Sequence, residues 1–193
     1  MIDEHIHPSK IKDTNKKLRI GVTLFTPRYI SSKGYNNYAV YSESDPELIN
    51  VIKASAAYSP FFEPVTLRDG VAVDGGIQIV TPIKMAIDAG ATEIDVLICY
   101  PKYLTYPKSE PDIITDTLYI IDLMVNRLTW LDVERTEQTS ALVRSKILLG
   151  KRAIKLNVIN PTTELHVNSL EFNSHTGQKL ITQGWEDAKL VLK

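Results

Sequence analysis

The sequence predicts an α/β fold, and three observations carry that expectation. Short apolar runs bounded by turn residues recur along the chain, segments with apolar residues every three or four positions lie between them, and several of those segments begin on helix-capping residues. The composition agrees: 193 residues, 44% hydrophobic and 23% charged, are enough for one domain with a core.

Residues 1–17 are polar and aperiodic and read as a flexible arm, with the fold expected over residues 18–193. The first strand is expected over residues 18–25, where apolar and other residues alternate until Pro27 stops the run. A weaker strand follows at residues 38–41. Ser44, with Glu47 three positions on and Pro46 in the first turn, then opens a helix running to about Ala57. Pro60 ends it, and residues 61–65 continue extended or in a turn.

Asp69-Gly70 is a turn signal between two short extended stretches, and Val71-Ala72-Val73 leads to Asp74 and the pair Gly75-Gly76. Thr81-Pro82 caps a further helix with Ile83, Ala86 and Ile87 inward, and Gly90 suits the left-handed position beyond its end. Residues 93–99 form the next apolar strand, which Cys99 ends as a small buried side chain. The strand before Asp74, this helix and residues 93–99 together suggest one α/β unit with a buried sheet.

From Ser109-Glu110-Pro111-Asp112 a well-capped helix starts, with Ile114, Leu118, Ile121, Val125 and Leu128 as its apolar stripe. No glycine or proline interrupts residues 112–149, so one long helix or two abutting ones are expected. Residues 152–159 read as a strand ended by Pro161, and residues 178–192 as a final helix with Ile181, Trp185 and Ala188 on one side.

Charge and cysteine usage restrict the function classes. A net charge of −1 gives no reason to expect nucleic acid as a partner, and the basic cluster Lys10, Lys12, Lys16, Lys17 and Arg19 reads as a solvated arm. A single cysteine, and an N-terminus with neither a signal-peptide apolar stretch nor transit-peptide character, point to a reducing, cytoplasmic setting. No apolar run is long enough for a transmembrane segment.

The segment from Ala54 through Ser59-Pro60-Phe61-Phe62-Glu63-Pro64, Asp69-Gly70, Val73-Asp74-Gly75-Gly76, Pro82-Ile83, Ala86-Ile87 and Gly90-Ala91 resembles the patatin-like phospholipase family in order, spacing and residue type. Leu170-Glu171-Phe172 followed by Leu180 and Gly184-Trp185-Glu186-Asp187-Ala188 looks like the family's closing strand and helix. The resemblance implies a three-layer α/β/α architecture, of which this chain would be the second half. It also implies lipid acyl-ester hydrolysis through a Ser-Asp dyad, with a lipid or acyl-ester substrate and neither cofactor nor metal. Asp74 would be the catalytic aspartate, with Gly75 and Gly76 forming the turn that supports it.

The residues give their own reading of that motif. An aspartate before glycine is ordinary turn chemistry, but here it stands where a strand stops, a region in which open α/β sheets gather functional groups. Two glycines leave the carboxylate room to face a neighbour. In a dyad it would take the serine proton directly, the work that histidine does in a triad.

The serine is missing. A nucleophile elbow needs Gly-x-Ser-x-Gly, yet no serine here follows a glycine by two positions, and only Ser32 precedes one by two, at Gly34. The glycine-rich oxyanion loop is absent as well. The expectation is that serine and loop come from a missing N-terminal segment or a partner chain, and the alternative is a non-catalytic patatin-like module that binds lipid or protein. A third reading is a structural α/β protein of chance similarity.

Other candidates are weaker. Ser55 falls inside a helix and Ser59 precedes a proline, so both read as structural. His5 and His7 could hold a metal only with partners that a polar arm does not supply, and His166 and His175 read as surface residues. Tyr100, Tyr103 and Tyr106 with Pro101 and Pro107 would pack a loop or line an acyl-chain entrance.

Overall fold

The computed structural model describes residues 10–11, 16–27, 37–59, 61–105, 112–162 and 173–192. The protein is mixed α/β and divides into two compact units, residues 1–80 and 81–193. The expectation of a flexible arm over residues 1–17 falls mostly outside the described residues.

Among its described residues, the first unit has an antiparallel sheet with a helix against it. Strands β1 (Arg19–Pro27), β2 (Tyr38–Ser42), β3 (Val65–Leu67) and β4 (Gly70–Asp74) lie in the order β2-β1-β4-β3, and helix α1 spans Leu48–Ser55. Alternation along β1 puts Val22 and Leu24 on the covered face, where they meet Tyr41, Ala72 and Leu67 and the Val51 and Ala54 side chains of α1. The β3–β4 hairpin closes on Leu67 opposite Gly70, whose φ of 141° suits a residue without Cβ. Charged groups tie this hairpin to the start of α1: the Arg68 guanidinium donates to Asp45 at 2.6 Å and the Arg68 N–H to Glu47 Oε2 at 2.9 Å.

The capping box expected at Ser44 does not form. Ser44 Oγ pairs with Ser42 Oγ, Glu47 is engaged by Arg68, and it is the Asp45 carboxylate that accepts the Glu47 N–H, at 2.9 Å. A local signal of this kind loses when the Glu47 carboxylate can instead take a backbone N–H brought by a distant hairpin, whose guanidinium is held by Asp45.

The second unit holds a short helix α2 (Ile83–Asp88), strand β5 (Glu93–Leu97), a 32-residue helix α3 (Ile113–Arg144), strand β6 (Lys155–Ile159) and helix α4 (Ser174–Val191). β5 and β6 pair in parallel, from Glu93 opposite Lys155 to Leu97 opposite Ile159. The long α3 supplies the crossover that parallel pairing requires. The core here joins Ile83, Val96, Ile98, Trp130 and Val133.

The α/β unit expected from the strand before Asp74, the following helix and residues 93–99 is therefore not built. β4 already has β1 and β3 on its two sides, so it offers no edge to β5, and the two strands belong to different sheets. Gly90, by contrast, takes its left-handed position beyond α2 with φ 99°.

Both long helices correct the expected apolar stripes. On α3 the buried residues are Asn126, Thr129, Trp130, Val133 and Ser140, whereas Ile114 is 72% and Leu128 48% exposed. A helix of 32 residues is about 48 Å long against about 17 Å for a five-residue strand, so β5 and β6 cannot cover all of its apolar residues. Asp112 caps it, accepting from the Ile114 and Thr115 N–H groups; the Ser109 start lies outside the described residues.

α4 begins at an Asn173 cap and turns Asp187 inward, while Ile181 and Trp185 stay exposed. Asp187 accepts from the Thr162 hydroxyl at 2.7 Å and from Gln183 at 3.1 Å, so it is a polar anchor that joins α4 to the chain after β6. Cys99 lies two residues beyond β5 and is exposed, contrary to the buried strand position expected of it; Val96 and Ile98 are the buried residues of that run.

Candidate active site around Asp74

Asp74 is the last residue of β4, opposite Val22 on the last rung of the β1–β4 ladder. Its backbone N–H donates to Ala57 O at 3.1 Å, which fastens the strand end to the residues just after α1. The chain then enters a single 3-10 turn, Gly75–Ile77, for which the Asp74 side chain is the cap: Oδ1 accepts the Gly76 N–H at 2.7 Å. Among the described residues Oδ2 accepts no hydrogen bond, so one oxygen is held and the other is open.

Asp74, Gly75 and Gly76 form one turn, and the need for glycine in it is steric. Neither Gly75 nor Gly76 has a positive φ, so the turn does not call for glycine's conformational freedom. Space calls for it. A Cβ on Gly75 would stand 2.5 Å from the Gly21 carbonyl oxygen and 2.7 Å from its carbonyl carbon, and one on Gly76 would stand 3.1 Å from Asp74 Oδ1.

Gly21 is the residue on which the site converges. Ser55, at the end of α1, donates its hydroxyl to Gly21 O at 2.9 Å, so Ser55 has a structural bond. On β2, Tyr38 pairs with Thr23 but leans along β1, and its phenol occupies the space beside Gly21: an added Cβ there would be 1.8 Å from Tyr38 Oη and 2.4 Å from Cζ. The diagonal arrangement of an aromatic ring over a strand glycine is a familiar pairing on one face of a sheet.

Burial pushes the Tyr38 phenol above its ordinary value, and the negative charge of Asp74 pushes it further. The phenol therefore stays neutral and within electrical reach of the carboxylate. Neither Gly21 nor Tyr38 stood out in the sequence. The available signal was a glycine inside an alternating strand, which often marks a close approach of another group.

The remaining candidates are dispersed. Ser59 lies in the turn before residue 60, His175 is exposed on α4, and His5, His7 and His166 lie outside the described residues. Tyr100 packs against the core of the second unit and donates to Asp122 at 3.1 Å, Tyr103 is exposed, and Tyr106 lies outside the described residues. Among the described residues no three His, Cys, Asp or Glu side chains come together as a metal site, and no helix is long and apolar enough to cross a membrane.

No family model matches the chain, and no curated protein matches it at a significant level.

Proposed function

We propose that this chain is the aspartate-bearing part of a patatin-like lipid acyl-ester hydrolase, with Asp74 as the general base of a Ser-Asp dyad. In this reading the serine and the oxyanion donors come from another segment or a partner chain, which completes a three-layer α/β/α domain. The observation that supports it best is the division of labour within the carboxylate: Oδ1 is tethered by the Gly76 N–H while Oδ2 accepts no hydrogen bond among the described residues.

A base held by one oxygen keeps its orientation and can still take a proton on the other. As the serine oxygen attacks the ester carbonyl, its proton passes to Asp74 Oδ2. Collapse of the tetrahedral intermediate returns that proton to the leaving alcohol and leaves an acyl-serine. Water then attacks the acyl group, gives its proton to Asp74, and the proton goes back to the serine as the fatty acid leaves. The reaction takes neither cofactor nor metal, and we place it in the cytoplasm.

The second reading is a non-catalytic module that binds lipid or protein. It is favoured by the lack of Gly-x-Ser-x-Gly in this sequence and by exposed apolar residues such as Ile113, Ile114 and Met124 along α3. A fluorophosphonate probe and an Asp74→Ala variant separate the readings. The chain alone is expected to stay unlabelled, and ester hydrolysis by the chain purified with its native partners is expected to vanish in the variant. Labelling at Ser55 or Ser59 overturns the assignment of roles, and hydrolysis unchanged by Asp74→Ala, or absent with every partner, favours the binding module.

A further inference from the structure

We propose that the free edge of β5 is a docking site for an extended basic segment, which adds to the β5–β6 sheet as a further parallel strand, with lysine or arginine opposite Glu93 and Asp95 and an apolar residue opposite Leu97. The inference goes beyond the hydrolase reading and does not depend on it.

The edge is open. At the two ends of the β5–β6 ladder the Lys155 N–H donates to Thr92 O and the Ile98 N–H donates to Ile159 O, both at 2.9 Å. Along a strand, alternate residues turn their backbone groups to opposite sides. Ile94 and Val96 therefore face β6 with Thr92 and Ile98, while Glu93, Asp95 and Leu97 aim their N–H and C=O groups away from it. Among the described residues those outward groups have no hydrogen-bond partner, and β6 is the strand paired with β5.

β6 shows what kind of neighbour β5 reads. Ile94, Val96 and Ile98 turn to the core with Leu156 and Val158, so Glu93, Asp95 and Leu97 share the other face with Lys155, Asn157 and Ile159. On that face Lys155 Nζ meets Glu93 Oε1 at 2.6 Å, Asn157 Nδ2 donates to Asp95 Oδ1 at 2.8 Å, and Ile159 stands opposite Leu97. A cation, a polar donor and an apolar residue thus run along β6 in step with two acids and a leucine along β5. The free side of β5 can read the same pattern a second time. Glu93 Oε2 and Asp95 Oδ2 accept no hydrogen bond among the described residues, and Leu97 is 75% exposed.

Charge selects the occupant. Carboxylates at alternate positions protect a sheet edge against acidic or wholly apolar strands. They also disfavour a second copy of β5, because facing edges would set carboxylates against carboxylates. A basic strand turns the same groups into attraction, since opposite charges directly across a sheet stabilise and like charges destabilise, and its backbone supplies the hydrogen bonds of strand addition.

The test uses the full chain and a capped peptide in which lysine alternates with valine and the last residue is isoleucine. Binding is followed by amide NMR shifts and hydrogen exchange. The peptide is expected to slow exchange at the Glu93, Asp95 and Leu97 N–H groups and to leave Ile94 and Val96, already bonded to β6, unchanged. A peptide with glutamate in place of lysine is expected to bind roughly three- to tenfold more weakly. Asp95→Lys, a change at an exposed position, is expected to weaken the lysine peptide by a similar factor and to strengthen the glutamate peptide, a gain that misfolding cannot produce.

Absence of binding, binding without the alternating protection, equal affinity for the two peptides, or no gain for the glutamate peptide in Asp95→Lys overturns the proposal. Slow exchange at Glu93, Asp95 and Leu97 in the chain alone overturns it as well, because the edge would then be covered by the chain or by a second copy. None of these outcomes bears on Asp74, and hydrolysis unchanged by Asp74→Ala would sink the hydrolase reading while leaving the docking site standing.

Discussion

Gly75→Ala is the substitution that most directly tests how the Asp74 turn is built. The new Cβ would stand 2.5 Å from the Gly21 oxygen, 2.7 Å from the Gly21 carbonyl carbon and 3.2 Å from the Val22 nitrogen. All three are backbone atoms in the interior of β1, a strand paired on both sides by β2 and β4, so none can swing aside as a flexible side chain would. The turn or the strand must move by nearly an ångström to restore ordinary contact. Overpacking of this kind costs about 1–3 kcal/mol. At about 1.4 kcal/mol per tenfold, the opening equilibrium of the sheet should rise roughly 5- to 150-fold.

Amide hydrogen exchange over β1 and β4 is the suitable assay, because both tryptophans, Trp130 and Trp185, lie in the second unit and their fluorescence would not report on the sheet. Gly177→Ala, on α4 with open space around it, is the control and should cause no loss. Protection in β1 and β4 of Gly75→Ala within about twofold of wild type would refute the steric account, since surface-like changes fall within about 0.5 kcal/mol.

Two predictions concern pH. Burial raises the Asp122 carboxyl above its ordinary value of 3.8, with the Tyr100 hydroxyl partly opposing it, so the folded state holds that proton more tightly and loses the associated stability as pH rises through the folded pKa. Asp122→Asn, which mimics the protonated form and can still accept from Tyr100, should be more stable than wild type to urea at pH 7 and indistinguishable from it below about pH 3.8; lower stability at pH 7 would count against burial as the cause. Tyr41 is raised well above 10.0 by burial and then by its bond to Asp69, so above pH 10.0 the unfolded chain releases a proton that the folded chain keeps, and stability falls as pH climbs. Tyr41→Phe should flatten that alkaline decline, and identical slopes for the two proteins would sink the assignment.

Much of the local structure was legible in the sequence because it depends on local chemistry. β1 and β4 follow from alternating or continuous apolar runs, and the Asp69-Gly70 signal places the hairpin whose first residue after the corner, Gly70, has positive φ. The Gly90 terminus of α2 follows from the same freedom. Asp74, Gly75 and Gly76 were also legible as one turn, since three adjacent residues at a strand end need no long-range contact to stay together.

Stripes on the long helices were less legible. Apolar residues at spacings of three and four fit more than one face of a 32-residue helix, and the sequence does not say how much sheet there is to cover it. α3 therefore buries Trp130 and Val133 while Ile114 and Leu128 face outward, and α4 buries Asp187.

What the sequence by itself determined is the α/β class, the positions of most elements and the aspartate turn at the end of β4, all set by periodicity and by the chemistry of glycine, proline and capping side chains. Only the tertiary structure decided that β4 pairs with β1 and β3 and leaves β5 to β6, because strand partners are chosen by which edges remain open. It alone brought Tyr38 and Ser55 to Gly21, since residues 17 and 34 positions away meet a backbone only where a register and a helix end place them. Gly75 shows both levels at once: its sequence neighbourhood announces a turn, but the atom that forbids a side chain there, the Gly21 carbonyl, belongs to a strand more than fifty residues earlier.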